Sequence, residues 1–120
     1  MELQYSNING TVIGVLADGV ISNASDALDM IATAGYNGAV GVVIPMELLT
    51  PQFFDLKTRI AGDILQKCVN YGMRVAIAGD FSGFTSKSLA DFIRESNNGR
   101  HVFFKATADE AAKTLATLAV

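Results

Sequence analysis

The sequence predicts an α/β protein built on a five-stranded mixed sheet. Three observations lead there. Short apolar runs rich in β-branched residues alternate with amphipathic stretches of helical period, an order that gives parallel strands joined by right-handed crossovers. The chain opens on two strand-like segments separated by Asn9-Gly10, a dipeptide that favours a type I′ hairpin because both positions tolerate positive φ. Cap and turn residues punctuate the remaining segments, so the order reads ββαβαβαβα.

Residues 1–5 alternate apolar and polar, the period of a half-buried strand, and residues 11–16 ("TVIGVL") read as its buried antiparallel partner. Ser22 or Asn23 caps a first helix running to about Gly35, with Ala24, Ala27, Leu28 and Ile31 facing inward. Residues 39–44 ("AVGVVI") form a continuous apolar run, as expected of a strand covered on both faces. Thr50-Pro51 predicts the start of a second helix, with Pro at the first helical position. Phe53, Leu56, Ile60, Ile64, Cys68 and Tyr71 would be its apolar stripe and Gly72 its stop. Residues 74–78 are the next strand. Thr85 is the expected cap of a third helix with Leu89, Phe92, Ile93 and Ser96 inward, closed by Asn98-Gly99. Residues 102–106 make the last strand. Thr107 and Glu110 have capping-box spacing for a final helix whose inner stripe is Ala111, Leu115 and Leu118.

A length of 120 residues predicts one domain over 1–120, and half the residues are hydrophobic against 18% charged. That excess calls for strands covered on both faces, or for a face covered by a second copy. The formal net charge of −3, with nine Lys and Arg scattered along the chain, argues against a nucleic-acid footprint. The single Cys68 excludes an internal disulfide. No basic-then-apolar leader and no apolar run approaching the roughly 18 residues of a membrane span is visible, so a cytoplasmic protein that neither enters nor binds a membrane is expected.

Two long stretches, "FFDLKTRIAGDILQKCVNYGMRVAIAGDFS" and "SKSLADFIRESNNGRHVFF", resemble a bacterial family known as domain of unknown function 4180. The resemblance is close over residues 50–104. It implies a small protein whose activity is not established. The element order also resembles the STAS domain of anti-sigma-factor antagonists, in which a hairpin leads into a parallel sheet with helices mainly on one face. That likeness implies a regulatory or protein-interaction module. It also implies phosphorylation of a Ser or Thr at the start of the second helix, a place held here by Thr50, although the antagonists' Asp-Ser pair followed by Gly is absent.

In an open parallel sheet, ligands bind outside the carboxyl ends of the strands. Asp18, Glu47, Asp80 and Ser82 are predicted at that edge and are the candidate ligand-binding residues. Grouped carboxylates would suit a divalent cation, so a small-molecule or metal-dependent enzyme is the alternative to a non-catalytic module. Asp and Gly at these places also make ordinary tight turns. Ser82 has no base to activate it: the only histidine, His101, falls before the last strand, at the opposite end of the sheet. "GDFSG" is neither a nucleophile elbow nor a phosphate loop. No catalytic residue, cofactor or metal is therefore predicted. Cys68, on an inward stripe, reads as a small buried hydrophobe. Helices mainly on one face would leave the other face thinly covered, which predicts a homodimer. Thr58 and Gly62, a small pair on one side of the second helix, are a candidate contact between the copies.

Overall fold

The computed structural model describes residues 1–118. Its elements are β1 (Glu2–Ile8), β2 (Thr11–Asp18), α1 (Ala24–Tyr36), β3 (Gly41–Pro45), α2 (Ile60–Asn70), β4 (Arg74–Ala78), α3 (Lys87–Asn97), β5 (Val102–Lys105) and α4 (Ala108–Leu118). The strands lie in sequential order, β1 antiparallel to β2 and the others parallel. Asn9 and Gly10 both take positive φ, 53° and 88°, so the two-residue turn has the expected type I′ character. β1 runs on to Ile8, three residues past the predicted end, because so tight a turn lets pairing start at Ile8–Thr11.

Alternation along the strands divides the core into two layers. Leu3, Leu16, Val42, Ile44, Val75, Ile77 and Phe104 point to one face, where α1, α2 and α3 cover them. Ile13, Val43, Ala76, Ala78 and Phe103 point to the other, where α4 alone lies across β2 to β5. Three of the four helices are thus on one side, but the second face is not thinly covered. Ala111, Ala112, Leu115 and Ala116 seal it, and Ile13, Val43 and Ala76 are fully buried. Small residues make this close fit possible. A Cβ on Gly41 would stand 3.2 Å from Leu115 Cδ1 and 3.4 Å from the Arg74 carbonyl oxygen.

The second helix departs most from expectation. α2 starts at Ile60, and the segment before it is three short 3₁₀ turns, Met46–Leu48, Pro51–Phe54 and Leu56–Thr58. Local side chains compete for the backbone there. Asp55 Oδ1 accepts from Lys57 N, and the Thr58 hydroxyl donates to the Gln52 and Asp55 carbonyls at 2.7 and 2.8 Å while accepting from Ile60 N. Arg59 is left-handed (φ 65°), which breaks any continuous helix through this point. The Thr50 side chain makes no capping bond. Phe53, Ile64 and Cys68 are buried as predicted, but Tyr71 is 65% exposed. Thr58 lies outside α2, and a Cβ on Gly62 would meet open space, so the two do not form a small-residue stripe on one helix.

The other caps are as predicted or one residue away. Asn23 Oδ1 accepts from Asp26 N to start α1. Ser86 rather than Thr85 caps α3 through Leu89 N, and Thr107 Oγ1 accepts from Glu110 N to start α4.

Candidate functional site

The carboxyl ends of β2, β3 and β4 carry the predicted site residues, and loop contacts hold this edge together. Asp18 ends β2, Glu47 lies in the 3₁₀ turn after β3, and Asp80 and Ser82 follow β4; all four side chains are exposed. The loop after Asp18 joins the loop after Glu47 through a parallel bridge, Ile21 with Leu49, in which Ile21 N donates to Leu48 O at 2.8 Å. Met46 packs on Gly79 so closely that any side chain at 79 would overlap it. That contact brings the Glu47 loop against the Asp80 loop.

Asp80 and Ser82 are brought together directly. Asp80 Oδ1 accepts from Ser82 N at 2.9 Å, an Asx turn that reverses the chain after β4. The Ser82 hydroxyl and the Ser82 N–H hold the Asp80 carboxyl below its ordinary range. Asp18 and Glu47 share the edge without sharing a pocket with Asp80. None of the four lines any of three surface cavities, of about 710, 310 and 220 Å³. Among the described residues no three His, Cys, Asp or Glu side chains group as metal ligands would. His101 lies just before β5, at the amino end of that strand, and Ser82 lies beyond the carboxyl end of the adjacent parallel strand. Cys68 is fully buried, and burial pushes its thiol up to about 12. A thiol so shielded stays protonated and unreactive.

The segment "GDFSGFT" is anchored by aromatic packing that sequence reasoning missed. Phe84 stacks on Phe54 with ring centroids 4.8 Å apart, and Phe81 meets Phe54 and Phe104 at 6.2 and 5.3 Å. Phe53 and Phe92 extend the cluster at either end, so it takes in six of the seven phenylalanines. Phe84 remains 39% exposed. With Phe81, Ser86, Leu89 and Ile93 it walls the 220 Å³ cavity, a small apolar notch next to Asp80 and Ser82. The only sequence signal was the spacing of aromatics on both sides of β4, because a loop phenylalanine has no period to reveal it.

Two further features escaped the sequence. The 710 Å³ groove runs along β5 beneath α4, past Phe103, Lys105, Thr107 and Lys113, with a Lys113–Asp109 ion pair at 3.0 Å on its rim. Asn97, expected in a solvated helix end, instead sends Oδ1 to accept from Phe104 N at 2.8 Å, on the free side of β5.

Fold and edge together define an α/β protein with an open mixed sheet, parallel from β2 to β5, and loops gathered at its strand ends. Residues 9–115 match the family model "Domain of unknown function (DUF4180)", and the chain belongs to that family. Neither the curated proteins nor the solved structures include a significant match. Among the described residues no helix is long and apolar enough to cross a membrane.

Proposed function

We propose that the chain is a non-catalytic module that acts by docking another protein at the strand-end edge, in the manner its STAS-like element order implies. One observation carries the reading: the exposed Phe84 ring, stacked on Phe54, walls an apolar notch next to Asp80 and Ser82, on the strand-end edge that also carries Asp18 and Glu47. Apolar anchor pockets ringed by polar groups are how proteins seat a few dominant side chains of a partner. The acidic rim favours a partner segment that is basic around one apolar anchor. Asp18, Glu47, Asp80 and Ser82 are then ligand contacts for that segment rather than chemical groups.

A regulatory version adds phosphorylation of Thr50, half-buried on the same edge with its hydroxyl free of capping duty. New negative charge there would change the rim's field toward a basic partner. The metal-dependent alternative has weaker support, since Asp80 is already engaged by its own turn. A homodimer belongs to the same proposal; because α4 closes the second face, its two copies would have to meet elsewhere on the molecule.

A photo-crosslinking residue placed at Phe84 tests the docking reading in living cells. A discrete protein adduct at 84, not at the exposed control position Glu95, and weakened by Asp80→Lys with Glu47→Lys, is expected. No adduct, or equal adducts at both positions, overturns it. Intact-mass measurement after incubation with candidate switch kinases tests Thr50, and no added phosphate removes the regulatory version.

A further inference from the structure

The two edges of the sheet are treated differently. β5 is four residues long, carries Lys105, and has its outward Phe104 N–H taken by the Asn97 side chain. Such short, charged, covered edges are how sheets avoid adding strands. β1 is seven residues long, with no Pro and no Lys; its one charge, Glu2, and its one irregularity, between Glu2 and Leu3, lie at its start, and Leu3 to Ile8 is regular. Pairing alternates from the two-residue turn, so Ile8, Ser6 and Gln4 bond to β2 while the backbone N–H and C=O of Leu3, Tyr5 and Asn7 face outward. No backbone or side-chain partner meets those outward groups among the described residues. Tyr5 is also held in place: its ring lies over Gly14 of β2, and its hydroxyl donates to Thr33 O and accepts from Asn37 Nδ2.

We infer that β1 is the homodimer interface, pairing antiparallel with β1 of a second copy about a two-fold axis at Tyr5, so that the two sheets become one. This rests on the homodimer reading above and names its surface. The pairing is self-complementary. Tyr5 meets Tyr5 of the partner subunit, and Leu3 meets Asn7 of the partner subunit, so every outward amide and carbonyl finds a partner. The only charge in β1, Glu2, falls opposite the uncharged Ile8 of the partner subunit. Two tyrosine rings stand side by side at the axis, a favourable cross-strand pair. Apolar surface gathers at the same margin: Met1 (47% exposed) lies against Gly19 beside exposed Val20, and exposed Tyr36 adjoins the Asn37 that holds Tyr5.

Sedimentation across a dilution series, with amide exchange followed by NMR on the same samples, tests the inference. A dimer is expected in which Leu3, Tyr5 and Asn7 amides gain protection with concentration while Gln4, Ser6 and Ile8 are protected throughout. Tyr5→Lys places like charges at the axis and is expected to weaken association by about tenfold or more, with Tyr5→Phe retaining it. A dimer whose Leu3, Tyr5 and Asn7 amides never gain protection overturns the β1 interface and leaves the homodimer standing. A monomer at every concentration overturns both.

Discussion

The two faces of the sheet reach full burial by different means. One face uses large side chains under three helices: Phe53, Met30, Ile64, Ile77 and Leu89 are at most 1% exposed. The other mixes large and small ones under a single helix: Ile13, Val43 and Phe103 stand among Ala76, Ala78 and Gly41 in the sheet, and α4 meets them with Ala111, Ala112 and Ala116 and one large buried knob, Leu115. Interiors are close-packed, so thin layers and thick layers are both stable if side-chain volume matches the gap. The difference teaches that one helix suffices where the sheet itself offers a shallow surface, and that the face under α4 has little volume to spare.

The largest test of that contrast is truncation at the centre of each layer. Phe53→Ala removes a fully buried ring that also begins the phenylalanine cluster, and is expected to cost about 3–5 kcal/mol in urea unfolding. Leu115→Ala removes the knob under α4 and is expected to cost about 2–4 kcal/mol, because a single helix resettles onto the sheet more easily than three. Cys68 reports which layer opens: its buried thiol is expected to stay unreactive to a thiol reagent in native Leu115→Ala and to react in Phe53→Ala. Equal reactivity in both variants would show that the layers open as one unit.

A second test adds volume instead. Gly41→Ala pushes a methyl toward Leu115 and the Arg74 carbonyl, and is expected to destabilise by about 1–2 kcal/mol by overpacking. Combined with Leu115→Ala the same change is expected to cost much less, since the space is then vacant. Additive costs in the double variant would break the claim that α4 is fitted by volume.

Much of this architecture was legible. Asn9-Gly10 declared the hairpin, and the strand-helix alternation gave the parallel pairing of the later strands. The second layer was not foreseen, since that face was expected to be thinly covered; its traces are the alternation of large Val75 and Ile77 with small Ala76 and Ala78, and an alanine-rich last helix. What periodicity cannot say is to which side a final helix crosses. The start of α2 was illegible for another reason: Phe53, Leu56 and Ile60 keep helical spacing across 3₁₀ turns, while the breaks come from hydrogen bonds of Asp55 and Thr58 and a left-handed Arg59. At the site, Asp80 as a turn-forming carboxylate was readable, because Asx turns are local. Phe84 and Asn97 were not, because their partners Phe54 and Phe104 lie in other elements.

The smallest expected effect concerns how the thick layer is entered. Asp26, in the first turn of α1, accepts from Ser22 N at 2.9 Å and from Ser22 Oγ at 2.7 Å. The N–H and hydroxyl of Ser22 hold its carboxyl below the ordinary value of 3.8. A carboxyl lowered in the folded state adds stability that is present above pH 3.8 and lost as pH falls through the lower folded value. The group is near solvent, so screening keeps this below about 1 kcal/mol. Asp26→Asn is therefore expected to lower stability slightly at neutral pH and to flatten its fall below pH 4, as measured by thermal unfolding at several pH values. α4 begins instead on the neutral hydroxyl of Thr107, so Thr107→Ala is expected to lower stability by a pH-independent amount of about 1 kcal/mol. If Asp26→Asn leaves the acid limb unchanged, the entry to α1 is held by Asn23 alone, and the two layers begin their helices in the same way.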